Sequence, residues 1–199
     1  MLDDNFLGYP NWKELLLKLQ DTGKRFVFKQ GLDERLLTDE KCKLVFNSKY
    51  DGYFIFAFDN IKDYDLIKSK LKIIRKYTDK KITFYVLCGF DYNNKYDTNF
   101  WKQDLFNTWK RIELLMEYKC YPYIMRYEEY KNSPYKGHYI SLAQWCNQPH
   151  IFSRMSFKEF SFGRPLKSGM PSAPERYYNQ VLKDLPELAN KYFNLKYKR

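Results

Sequence analysis

Polar and ionisable side chains recur in this sequence directly after short apolar runs. Gln30 closes RFVFKQ (25–30), and Asp33 and Arg35 follow it. Asp59 and Asn60 follow YFIFAF (53–58), Gly89 follows ITFYVLC (82–88), and Arg126 closes CYPYIMR (120–126). Asp3, Asp4 and Asn5 precede the first helical segment. Acceptors, amides and two arginines along one rim suit a polar, partly anionic small molecule. A glycine at a strand end lets the backbone approach a ligand closely. The same residue types also cap helices and form turns. Repetition at successive strand ends, rather than any one residue, marks the group as a candidate site.

Motifs that carry chemistry by themselves are missing. The sequence contains no GxGxxG, GxxxxGKS/T, GxSxG or HExxH. His138 and His150 lie in no motif, so a structural or surface role is expected for each. The four cysteines, Cys42, Cys88, Cys120 and Cys146, are far apart and form no CxxC pair. Buried free thiols are expected of them.

The apolar runs are spaced as elements of one repeating unit: strand, turn, helix. Residues 11–22 put Trp12, Leu15, Leu16 and Leu19 on one helical face, with Gly23 where a C-terminal cap belongs. Helices are predicted over 38–48, with Thr38 as N-cap, over 63–77 and over 99–118. Strands are predicted near 25–30, 53–58, 82–88 and 121–126, a spacing of roughly thirty residues, as in βαβ units. The middle runs are apolar throughout, as in a parallel sheet covered on both faces. Such units build either an open doubly wound sheet or part of a barrel, and both bind ligands at the carboxyl ends of their strands. From residue 133 the pattern changes to helices around 139–147, a short segment at 156–162, a Gly/Pro loop and a final helix from about 175.

Composition sets the class. The 199 residues are 44% hydrophobic with only 8 Gly and 8 Pro, a globular balance. No apolar run approaches the roughly 20 residues of a membrane helix, and no secretory signal is visible at the N-terminus. A cytoplasmic location with no membrane association is the resulting expectation. The net charge is +11, and residues 164–199 hold eight Lys/Arg against Glu175, Asp184 and Glu187. A nucleic-acid partner would account for this through phosphate contacts. So would an AT-rich codon bias, which favours Lys, Asn, Tyr, Phe and Ile together.

Six segments, in order, carry a resemblance: LDDNFLGYPNWKELL, FKQGLDERLLTDEKCKLV, FAFDNIKDYDLIKSKLKII, FYVLCGF, PYIMRY and ISLAQWCNQPHIFSRMSFKEF. Together they resemble radical SAM proteins, and most closely a poorly characterised bacterial and phage group of that superfamily. The likeness covers residues 2 to about 162, and QGLDxRLLT together with DDNF is its specific part. It implies an α/β fold: a partial (β/α) barrel of parallel strands over residues 1–130, truncated at its N-terminus, with a helical basic extension over 131–199. The implied cofactors are S-adenosylmethionine and a [4Fe–4S] cluster held by CxxxCxxC. That motif is absent here, and none of the four cysteines replaces it by spacing.

In the family the cysteine loop precedes the DDNF segment by a few tens of residues, whereas Met1 stands just before it here. The resemblance therefore implies that the first strand, cysteine loop, first helix and most of the second strand lie outside this chain. It further implies a chain inactive alone, with a separate N-terminal half as a partner. Carried over by position, Asp4 and Asn5 would lie near the methionine amine of the cofactor. Gln30, Asp33 and Arg35 would line the third-strand rim, and Asp59 the fourth-strand end. Cys88 and Gly89 would pass the adenine, and Met125 and Arg126 would close the sixth strand. The alternative is a non-enzymatic module that binds nucleic acid weakly through 164–199.

Overall fold

The computed structural model describes residues 5–163 and 169–198. It divides into two compact units, Met1–Phe84 and Tyr85–Arg199. From residue 39 to residue 126 helices and strands alternate as the spacing predicts. Helix α1 spans Trp12–Asp21, α2 Asp39–Phe46, strand β1 Phe54–Ala57, α3 Tyr64–Tyr77 and strand β2 Ile82–Cys88. Then follow α4 (Thr98–Glu117), β3 (Tyr121–Arg126), α5 (Lys136–Cys146), α6 (Pro149–Phe152), α7 (Phe157–Phe162), α8 (Ala173–Asp184) and α9 (Pro186–Tyr192). The three strands form one parallel sheet in the order β1-β2-β3. No barrel closes among the described residues. No helix among them is long and apolar enough to cross a membrane.

Local sequence chemistry sets the helix starts. Thr38 caps α2, its Oγ1 accepting from the Lys41 N–H at 3.3 Å. Asp97 caps α4 through the Phe100 N–H at 2.7 Å, and Ser156 with Glu159 forms a full capping box on α7. Gly23 follows α1 with φ +68°, the left-handed geometry of a terminating glycine.

The predicted first strand is corrected. Residues 25–30 make one isolated parallel bridge, Phe26 to Tyr50, rather than a ladder. The reason is a side chain in the way. The Phe28 N–H, which would continue the ladder, donates instead to the Tyr50 hydroxyl at 3.3 Å. The segment still runs beside β1: the Leu32 N–H reaches the Ile55 carbonyl at 3.0 Å.

The expectation of a sheet covered on both faces is also corrected. Along β2 Ile82, Phe84, Val86 and Cys88 are fully buried, whereas Thr83, Tyr85 and Leu87 are only half-buried. On β3 Pro122 and Ile124 are buried, and Tyr123, Met125 and Arg126 are exposed. One sheet face is packed, and the apolar composition of the other hid its exposure from the sequence pattern.

Each unit has its own aromatic core. In the first, Phe6 packs on Phe28 (centroids 4.3 Å), Tyr50 stacks on Phe54 (4.2 Å) and Phe56 meets Phe84 (5.3 Å). In the second, Trp109 of α4 lies within 6 Å of Trp145, Phe157, Tyr192 and Phe193. Burying rings of this size contributes most of the apolar stabilisation of such a core.

Candidate functional site

The residues singled out from the sequence fall into two groups, one in each unit. Asp4 lies outside the described residues. Asn5 is exposed and leads into a 3-10 turn, where its carbonyl accepts the Gly8 N–H at 3.0 Å. Gln30 is exposed, just before Gly31. Gly31 has φ +83°, and a Cβ there would stand 2.9 Å from the Ile55 carbonyl oxygen, so only glycine lets the loop lie against β1. Asp33 and Arg35 bind each other. Oδ1 accepts Nε at 2.9 Å and Oδ2 accepts Nη2 at 3.0 Å, while Oδ1 also caps the turn at the Arg35 N–H. Partial burial opposes ionisation of Asp33, but these bonds and the Arg35 and Lys41 charges hold its carboxyl below the usual range. Asp59 is exposed beyond β1.

Between the two paired residues stands one that the sequence did not flag. Glu34 is 3% exposed, and its Oε2 accepts a long bond, 3.4 Å, from the Ala57 N–H at the end of β1. Desolvation pushes its carboxyl up to about 7, with Asp33 adding to the rise and the backbone N–H groups and Arg35 opposing it. A buried acid near neutrality at a strand's carboxyl end is able to take up or release a proton. Nothing in GLDERLL distinguishes Glu34 from its charged neighbours; its burial is purely tertiary.

In the second unit the structure brings Cys88, Gly89, Met125 and Arg126 together at the ends of β2 and β3. The Cys88 Sγ donates to the Met125 carbonyl at 3.4 Å, and the Tyr127 N–H to the Cys88 carbonyl at 2.9 Å. Gly89 has φ +75°, and its N–H donates to Asp104 Oδ2 at 3.0 Å. The Tyr139 hydroxyl donates to the same carboxylate at 2.6 Å. Burial raises the Asp104 carboxyl, against the Tyr139 bond, the Arg111 charge and the Gly89 N–H. Burial and the Asp104 charge also push the Cys88 thiol up. Arg126 lays its guanidinium 4.6 Å over the Tyr130 ring.

Asp104 was missed but had a signal. It sits at i+3 from Trp101 on the apolar stripe Trp101, Leu105, Ile112, Met116, where a carboxylate requires buried donors. His138 takes the structural role expected of it. It is fully buried, its Nε2 accepts the Trp109 indole N–H at 3.1 Å, and desolvation lowers its pKa to about 3.

The fit to the implied cofactors divides. The four cysteines are buried on α2, at the end of β2, before β3 and at the end of α5, and no three His, Cys, Asp or Glu side chains converge among the described residues. That donor set does not fit a [4Fe–4S] cluster, which needs converging thiolates. For S-adenosylmethionine, Gly89 offers little: Asp104 holds its N–H, and the side where a Cβ would stand meets Tyr130 at 3.4 Å. Asp33 and Arg35 engage one another. Gln30 and Asp59 in the first unit and Met125 and Arg126 in the second are exposed. No family model matches the chain, and neither a curated protein nor a solved structure matches it. What the fold itself defines is an α/β protein with a sequentially ordered parallel sheet.

Proposed function

We propose that this chain carries the later strands of a radical SAM-type partial (β/α) barrel. In this reading it contributes contacts to S-adenosylmethionine while a partner segment supplies the cluster-binding cysteines. The observation that carries the reading is the unequal covering of β2, with one side fully buried and the other half-buried, in a sequential parallel sheet. A doubly wound sheet covers both sides with helices; a barrel strand turns one side to helices and the other to the lumen. Gln30 in the loop before Gly31 and Asp59 beyond β1, and separately Met125 and Arg126 at the end of β3, are exposed. Because the cysteines do not fit a cluster, no chemical step is assigned to this chain alone.

The test is calorimetric titration of S-adenosylmethionine under anaerobic conditions, into the chain alone and co-purified with a segment carrying CxxxCxxC. Weak binding alone that tightens with the segment, and is lost in Arg126→Ala, supports the proposal. Stoichiometric cluster formation by the chain alone, or no gain in affinity from the segment, refutes it.

A further inference from the structure

The less buried face of the second unit's strands, half-buried at Tyr85 of β2 and exposed at Tyr123 of β3, carries aromatic side chains that the barrel reading does not use. Tyr85 and Tyr123 stand side by side on neighbouring strands, their ring centroids 5.4 Å apart and their planes at 62°. Tyr123 is 43% exposed and Met125, two residues on, is 44% exposed. Arg126 follows at the strand end with its guanidinium 4.6 Å from the centre of the Tyr130 ring. From Tyr85 to Arg199 the chain holds 18 Lys/Arg against 11 Asp/Glu.

We propose that this face is a stacking platform for unpaired bases of a single-stranded nucleic acid, with Tyr123 and Tyr85 taking base faces and Arg126 a phosphate. Side chains at alternate positions of a strand share one face, so Tyr123 and Met125 lie along one line beside Tyr85. Base stacking on exposed aromatics is sequence-tolerant and needs bases free of a duplex. A guanidinium at the margin of such a surface meets the backbone that links the stacked bases.

Charge selects this occupant over a second copy of the chain. Two molecules of net charge +11 repel, whereas a polyanion is attracted. The inference stands on the β2–β3 face and shares Arg126 with the cofactor proposal, but its oligonucleotide readout is separate from the titration of S-adenosylmethionine.

Fluorescence anisotropy with a labelled oligo-dT or oligo-rU of about twenty nucleotides, and a duplex of equal length, tests it. The single strand is expected to bind more tightly than the duplex. Tyr123→Ala should weaken it roughly tenfold without changing the salt dependence, and Tyr123→Phe should leave it intact. Arg126→Ala should flatten the slope of log K against log salt by about 0.7, the value of one single-strand phosphate contact. If Tyr123→Ala loses its circular-dichroism spectrum, Tyr123→Thr, a strand-compatible residue without a ring, replaces it. Equal affinity for duplex, undetectable binding, or wild-type affinity in Tyr85→Ala/Tyr123→Ala would each overturn the proposal. So would a dimer in light scattering that Tyr123→Thr dissociates, which would give the face to a second copy.

Discussion

Replacing Glu34 by glutamine tests how deeply the fold commits to a buried acid. The carboxyl ordinarily titrates near 4.5 and is raised to about 7 here. Above the folded value both states are ionised, and the native state carries the full burden of a buried charge. Below 4.5 both are neutral and that burden is gone. Between the two the native state holds a proton that the unfolded chain has released, so stability falls as pH rises. A rise from 4.5 to about 7 corresponds to about 3 kcal/mol, at about 1.4 kcal/mol per pH unit. Arg35 opposes the rise from a distance, its guanidinium being bonded to Asp33. The substituted side chain would keep an acceptor for the Ala57 N–H but bury an amide, at a cost of about 1–3 kcal/mol that does not vary with pH. The comparison therefore rests on slopes. Urea unfolding followed by circular dichroism from pH 5 to 8 should show wild type losing stability relative to Glu34→Gln by about 2–3 kcal/mol. Parallel pH profiles, or a Glu34 carboxyl titrating near its ordinary value by carbon NMR, would refute the reasoning.

Tyr139→Phe removes the hydroxyl donor of Asp104 and should destabilise the protein by about 1–3 kcal/mol in urea unfolding; a change under about 0.5 kcal/mol would mean that Asp104 does not depend on it. His138, with its pKa lowered to about 3, should show a neutral imidazole by nitrogen NMR down to pH 5. The unfolded chain protonates this histidine below 6.5 while the native state does not, so it should remove stability as pH falls from 6.5 toward 3. Burial pushes the Cys42 thiol up to about 11 and raises those of Cys88 and Cys146. Native protein should therefore show no fast phase with a disulfide reagent, and urea should expose all four thiols. Thr38→Ala, at the start of α2, should cost about 1 kcal/mol of stability.

What the sequence determined by itself was the elements. Period-3.6 stripes, cap residues and apolar runs are local signals, and helices α1 to α5 and strands β1 to β3 lie within a few residues of where those signals place them. It also placed Cys88, Gly89, Met125 and Arg126 at strand ends, because a strand end is where an apolar run stops. Tertiary structure alone decided the rest. Phe26 to Gln30 read as a strand, yet a tyrosine hydroxyl twenty-two residues away takes the N–H that would extend its ladder. Tyr85 lies in a run that read as covered on both faces, because aromatic and apolar residues look alike in sequence whichever face of a sheet they occupy. Glu34 and Asp104 are polar residues whose burial follows from which segments fold over them. Desolvation is a property of that covering and not of the residue, so nothing local announces Glu34, and Asp104 shows only as a carboxylate on an apolar helix stripe.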